Sequence, residues 1–289
     1  MTQDLSVPAS GGARLHVRHW PGPDRRPFLL VHGLASSALL WQEAAAELSA
    51  AGHPVYAVDL RGHGESESPA DGYDAATAVA DLAAVSDALG LTGAVVAGHS
   101  WGGNVTVRLT AEHPALVAAL ALVDGGWIDP TTAFGSWEEC AATMRPPNLN
   151  GGTADGVRAY LRGAHPDWSA HAVEAAMSGM REAPDGSLTL RLSAAQHGSI
   201  VRSMWDDPPS RWFAAVSPPV LMLPVISTGY RRRAAIKRMW LDAATAAIPQ
   251  ATVREYLDAD HDLPAQHPRR LAADLLELAR TTLAENAAP

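Results

Sequence analysis

A mostly parallel, doubly wound α/β sheet is the fold this sequence predicts, on three observations. Short apolar runs alternate with helical patterns over most of the chain. One of those runs enters a helix through Gly98-His99-Ser100-Trp101-Gly102, followed by Gly103. The alternation breaks once, between about Trp127 and Trp212. Strands that alternate with helices need crossover connections, and crossovers give parallel strands with helices over both faces. With 289 residues and 47% hydrophobic content, the chain can bury one large core, or a core plus a small lid.

The elements follow from apolar runs and their punctuation by glycine and proline. Residues 15–20 read as an early strand, turned by Pro21-Gly22-Pro23, and residues 28–31 as the next. Residues 38–51 form an amphipathic helix ended by Gly52, and residues 55–59 a strand. Residues 73–89 carry apolar side chains at helical spacing up to Gly90. Residues 94–98 are the strand before Ser100, and 105–113 the helix after it. Residues 116–123 form a further strand, broken by Gly125-Gly126. After the interruption, strands are expected at 220–223 and 252–257 and helices at 234–247 and 271–283. The interrupted stretch has no clear apolar strand run but shows helical patterns, as at 155–163 and 170–180. The expected division is a core of residues 1–126 and 213–289, with a helical cap of 127–212 inserted before the last two strands.

Gly-x-Ser-x-Gly between a strand and a helix is a nucleophile elbow. The turn strains the serine backbone, and small residues two before and two after avoid clashes with it. An acyl-transfer site also needs two backbone N–H donors for the developing oxyanion. One is expected from Trp101, after the nucleophile, and the other from Leu34, in the loop that follows residues 28–31 through His32-Gly33. Between them lies Asp59-Leu60-Arg61-Gly62-His63-Gly64-Glu65-Ser66. With these three motifs in this order, the chain resembles the α/β-hydrolase family from about residue 16 to 283. That family shares a fold while its reactions vary, so substrate does not follow from the resemblance.

A serine hydroxyl needs a base within hydrogen-bond reach. The candidate is His261, in Asp258-Ala259-Asp260-His261-Asp262, between the last strand and the last helix. The family's catalytic histidine occupies that loop. His32 and His63 read as loop-structuring residues, His99 as a packing residue beside the nucleophile, and His267 as a surface residue. His165, His171 and His197 fall in the cap. In most of the family the acid follows the strand after the cap, and here Val220 to Tyr230 contains no carboxylate. Some branches place it at the end of the strand before the cap, where this chain has Asp124. Asp124 is therefore the candidate orienting acid. The alternatives are Ser227 or Thr228 as a weak substitute, or an unforeseen carboxylate. Asp258, Asp260 and Asp262 lie too close to His261 along the chain.

The net charge of −9, without a long basic run, argues against nucleic acid and anionic membrane as partners. Arg231-Arg232-Arg233 with Lys237 and Arg238 read as the solvated face of a helix, or less readily as a partner site. One cysteine, Cys140, excludes an internal disulfide. Residues 1–13 are polar, with no visible signal peptide or membrane run, so a cytoplasmic protein is expected. Lysine occurs once against many arginines, which points to a GC-rich coding sequence. No His/Cys/Asp cluster has metal-ligand spacing, and no cofactor is implied. Oligomeric state is not legible.

The cap is rich in tryptophan and methionine. Trp127, Trp137 and Trp205 are expected to line a pocket, and the rest to attach the cap to the core. The expectation is a serine hydrolase that cleaves a mostly apolar carboxylic ester or lactone through an acyl-enzyme. Serine at position 100 disfavours the dehalogenase and epoxide-hydrolase branches, which use aspartate there. Acyl transfer, C–C bond hydrolysis and a proline-type aminopeptidase are alternatives on the same fold. A ligand-binding protein with little turnover is the alternative outside enzymes, favoured only by the missing acid after residues 220–223.

Overall fold

The computed structural model describes residues 1–23, 25–149, 152–226 and 231–285, with side chains left out at 231–233 and 282–285. Before the interruption the chain runs through β1 (Gln3–Pro8), β2 (Arg14–Trp20), β3 (Phe28–Val31), α1 (Gln42–Ala50), β4 (Val55–Val58), α2 (Ala75–Ala88), β5 (Ala94–His99), α3 (Trp101–Glu112) and β6 (Val117–Val123). There follow α4 (Pro130–Ala133), α5 (Trp137–Thr143), α6 (Ala154–Ala164), α7 (Ala170–Met177), the hairpin β7 (Met180–Glu182) and β8 (Leu188–Leu190), and α8 (Ala194–Asp206). The chain then returns to the core through β9 (Val220–Leu223), β10 (Val225–Ile226), α9 (Arg231–Ala247), β11 (Ala251–Val253), β12 (Tyr256–Leu257), α10 (Leu263–Gln266) and α11 (Pro268–Glu285).

Eight strands form one sheet in the order β1-β2-β4-β3-β5-β6-β9-β11. The β1–β2 and β2–β4 pairs are antiparallel and the others parallel. Strands β3 and β6 are apolar at every position because both faces are covered. In β3, Leu29 and Val31 face a cluster with Leu82 and Val85 of α2 and Val105 and Leu109 of α3. Phe28 and Leu30 face the opposite cluster, with Leu48 of α1 and Leu271 and Leu275 of α11. All four β3 residues are fully buried. Each contributes about 1.5–3 kcal/mol of transfer free energy, so Leu30→Ala is expected to cost about 2–5 kcal/mol.

Three features depart from the sequence reading. The polar N-terminus forms β1, an edge strand whose alternation leaves Val7 buried and its neighbours exposed. The interrupted stretch contains the hairpin β7–β8 as well as helices. The expected last strand splits: β11 pairs with β9, whereas β12 pairs with β10 in a separate two-stranded sheet. The interrupted stretch docks on the loops at the C-terminal ends of the strands. Ser178 Oγ lies 2.6 Å from Ser37 Oγ, Arg191 donates to Glu65 at 2.7 Å, and Gln196 Nε2 donates to the Tyr73 hydroxyl at 2.8 Å. No described helix is long and apolar enough to cross a membrane.

Candidate active site

Ser100 alone connects β5 to α3, with φ 53° and ψ −124°. A non-glycine residue held there stores about 1–3 kcal/mol of strain. Two hydrogen bonds hold the turn: Ser100 N–H donates to the Val123 carbonyl and Gly103 N–H to the Ser100 carbonyl, both at 3.0 Å. The flanking glycines are steric necessities. A Cβ at Gly98 would lie 2.4 Å from Thr106 Oγ1, and one at Gly102 only 2.3 Å from the His32 carbonyl oxygen. The elbow therefore packs against the end of β3 and the loop that follows it.

That loop is built by the other two motifs. His32 donates from Nδ1 to the Gly33 carbonyl (2.7 Å) and accepts at Nε2 from Leu60 N–H (3.0 Å). His63 donates to the Arg61 carbonyl (2.9 Å) and accepts from Ala35 N–H (3.2 Å). Burial lowers both imidazoles, His63 to about 3, so both stay neutral and keep one donor and one acceptor. Asp59 accepts from Ala38 N–H at 2.6 Å, Glu65 N–H at 2.9 Å and His16 at 2.7 Å. A Cβ on Gly33 would sit 2.8 Å from Ser100 Cβ, so Leu34 follows a residue packed closely against Ser100. Trp101 N–H, in the first turn of α3, has no intrahelical acceptor. Among the described residues neither the Leu34 nor the Trp101 amide has a hydrogen-bond partner.

Ser100, His261 and Asp124 form one line. Ser100 Oγ lies 2.9 Å from His261 Nε2, and His261 Nδ1 lies 2.6 Å from Asp124 Oδ2. The carboxylate at Nδ1 fixes the proton there and leaves Nε2 free to accept from the serine. The three come from the ends of β5 and β6 and from the loop between β12 and α10. Asp124 itself has φ 43° and a fully buried side chain. Burial pushes its carboxyl upward, but the bond and charge of His261 and the charge of Lys237 outweigh this and hold it below the usual carboxylate range. Desolvation lowers the His261 imidazole, and the bond and charge of Asp124, helped by Asp262, more than reverse that. The net effect is a raised pKa, with Lys237 pulling the other way. Ser227 and Thr228, the weaker substitutes for the acid, lie outside the described residues.

Three partners of this line were not legible in the sequence. Lys237 was read as part of a solvated basic face; instead its Nζ donates to both Asp124 oxygens at 2.8 Å. Arg238 does face outward, to Glu255 at 2.6 Å, and the side chains of Arg231–Arg233 are not described. Val225 N–H donates to Asp124 Oδ1 at 2.9 Å. His99 does more than pack: its Nε2 donates to the His261 carbonyl at 3.0 Å and so holds the loop that carries His261. Burial and the His261 charge push His99 down to about 4, which keeps it neutral. Asp260 points into the interrupted stretch, accepting from His165 Nδ1 at 2.7 Å and Trp168 Nε1 at 3.0 Å. The expected surface residue His267 is half-buried against the Tyr256 ring.

The three candidate pocket tryptophans separate. Trp127 is buried in the apolar cluster that holds Trp101 and Met204. Its chain is pinned by Asn104, which accepts from Gly126 N–H (3.1 Å) and donates to the Ile128 carbonyl (2.8 Å). Trp137 and Trp205 meet each other edge to face, with ring centroids 6.2 Å apart, and join α5 to α8. Arg202 stacks on Trp137. The outer groove lined by Trp137, Arg202 and Trp212 contains no residue of the Ser100–His261–Asp124 line.

Comparison with known proteins agrees with this architecture. Residues 26–167 match the model of the alpha/beta hydrolase fold family. The non-heme chloroperoxidase of Streptomyces lividans is 39% identical over 119 residues, 41% of this chain and 43% of that one. Epoxide hydrolase A of Mycobacterium tuberculosis is 31% identical over 195 residues, 61% of this chain and 59% of that one. The chain thus spans about half the length of these curated relatives. Among solved structures, E-2-(acetamidomethylene)succinate hydrolase superposes with a TM-score of 0.77 at 24% identity, covering 97% of this chain and 100% of that one. The thioesterase domain from the curacin biosynthetic pathway gives 0.75 at 21%, covering 96% and 99%. At such identities these are likenesses of fold. The sheet order, the strained serine between β5 and α3, and the family match over residues 26–167 agree, and the chain has the α/β-hydrolase fold.

Proposed function

We propose that the protein is a serine hydrolase that cleaves a carboxylic ester or lactone through an acyl-enzyme, with Ser100 as nucleophile, His261 as base and Asp124 as orienting acid. The observation that carries this is the continuous path from Ser100 Oγ through both nitrogens of His261 to Asp124. Ser100 Oγ attacks the carbonyl carbon while its proton passes to His261 Nε2. The oxyanion is received by the Leu34 and Trp101 N–H groups. As the tetrahedral intermediate collapses, the C–O bond to the leaving alcohol breaks and His261 returns the proton to that oxygen. His261 then takes a proton from water as that water attacks the acyl carbon; when this second intermediate collapses, the bond from the acyl carbon to Ser100 Oγ breaks, His261 returns the proton to Ser100 Oγ, and the acid leaves. For a lactone the leaving alcohol stays tethered to the acyl group. Asp124 stays ionised throughout and stabilises the imidazolium.

In this reading residues 127–212 are a cap that excludes water, with Trp127 packed in the apolar cluster of Trp101 and Met204. Trp137 and Trp205 hold the cap together. The ligand-binding alternative is favoured only by the lack of an acid after residues 220–223, and the 2.6 Å contact of Asp124 with His261 supports the enzyme reading instead. A panel of p-nitrophenyl esters of graded length, run beside fluorophosphonate labelling, tests the reading. Turnover is expected to favour medium-length, uncharged acyl groups. A clear preference for short anionic substrates contradicts it.

A further inference from the structure

We infer that Lys237 is a positioning residue of the Ser100–His261–Asp124 line, holding the Asp124 carboxylate in one orientation and sharing its charge, so that the proton affinity of His261 depends on a lysine 113 residues further along the chain than Asp124. The inference rests on the serine-hydrolase reading for its kinetic consequence, though its geometry stands without it.

Lys237 is the only lysine in the 289-residue chain, beside 21 arginines. Every other carboxylate ion pair among the described side chains is made by arginine or histidine, as in Arg61–Asp81, Arg158–Glu174 and Arg254–Glu277. An ammonium is a compact point charge with three rotatable donors, whereas a guanidinium is a planar fork. The compact group suits this place, because Asp124 is shared. A carboxylate has about four acceptor positions. Oδ1 takes Val225 N–H and Lys237, and Oδ2 takes His261 Nδ1–H and Lys237. With those contacts made, the carboxylate cannot rotate away from the imidazole without losing several at once. Its side chain is fully buried, while that of Lys237 is 26% exposed, so the charge of the lysine acts where solvent screens little.

Among the described side chains, the charged and titratable groups that face His261 are Asp124, Asp262, His99 and Lys237. Asp124 and Asp262 favour the imidazolium, and His99 stays neutral. Lys237 disfavours it and is the cation opposing the two carboxylates. The lysine therefore opposes the upward pull that Asp124 and Asp262 exert on the imidazole.

The test uses Lys237→Met and Lys237→Arg in the full chain. In a Ser100→Ala background, imidazole NMR titration reads the His261 pKa with no turnover. Lys237→Met is expected to raise it by about half a unit to one unit, roughly three- to tenfold in proton affinity, and Lys237→Arg to restore most of the shift. With Ser100 intact, the acid limb of kcat/KM for a p-nitrophenyl ester should move up by the same amount. An unmoved His261 pKa in a folded Lys237→Met protein overturns the inference. Should that variant not fold, protein grown on 15Nζ-lysine gives a single side-chain signal in Ser100→Ala. A titration step there matching that of His261 supports the inference, and a flat signal overturns it. If the NMR shift appears but no form hydrolyses esters, the hydrolase reading fails and the positioning role stands. If esters are hydrolysed and the His261 pKa ignores Lys237, the positioning role fails alone.

Discussion

Asp124→Asn is the substitution most sensitive to how the site is wired. The amide can keep its oxygen toward Val225 N–H and Lys237, which leaves its NH2 group facing His261 Nδ1. Two donors cannot share that contact, so the imidazole turns its proton to Nε2, where Ser100 Oγ needs an acceptor. The base is then in the wrong tautomer, and no carboxylate stabilises the imidazolium formed on attack. The same exchange in serine proteases costs about 10⁴ in kcat, equivalent to about 5.4 kcal/mol of barrier. A similar loss is expected here, because Asp124 is the carboxylate on Nδ1, whereas Asp260 is taken by His165 and Trp168. KM should change little, since Asp124 is buried behind the imidazole and does not face substrate. The assay is steady-state turnover of a p-nitrophenyl ester beside the rate of fluorophosphonate labelling, measured below the melting temperature of the variant. A kcat within threefold of the parent protein would refute the reasoning, and a large rise in KM with unchanged kcat would show Asp124 acting on substrate binding instead.

Three further outcomes are expected. The raised His261 pKa means that the neutral base is lost as pH falls through a value above 6.5, so kcat/KM should drop there with one proton taken up; a limb below 6.5 contradicts the assignment. Gly33→Ala introduces a Cβ 2.8 Å from Ser100 Cβ, and the resulting shift of Leu34 should lower kcat about 10²–10³-fold, as loss of one oxyanion donor does; unchanged kcat removes Leu34 from that role. Asp260→Ala releases His165 and Trp168 from the loop of the base and should lower stability by about 1–2 kcal/mol, discounted for partial exposure; an unchanged urea midpoint contradicts a stabilising contact.

The elements that sterics or burial dictate were readable in the sequence. The elbow at Ser100 was, because Gly98 and Gly102 are forced by contacts of about 2.3–2.5 Å that no other residue tolerates. The central strands were, because burial on both faces demands unbroken apolar runs. Asp124 was a candidate because residues 220–230 hold no carboxylate and some branches of the resembling family place the acid at the end of the strand before the cap; its carboxylate lies 2.6 Å from His261 Nδ1. Lys237 was missed because its partner is set by the packing of α9 over the end of β6, and a lysine among arginines reads as solvated surface. The strand β1 was missed because an edge strand keeps only Val7 inside. The contact of Trp137 with Trp205 was missed because it is set by the docking of α5 on α8, which has no signature in the sequence.

The central claim, that Ser100 is an activated nucleophile, is tested most directly by intact-mass and peptide mapping after exposure to a fluorophosphonate. The account expects one adduct per chain on the peptide that contains Ser100, slowed at acid pH as His261 protonates, and none in Ser100→Ala. An adduct on another residue, or undiminished labelling of Ser100→Ala, would contradict it.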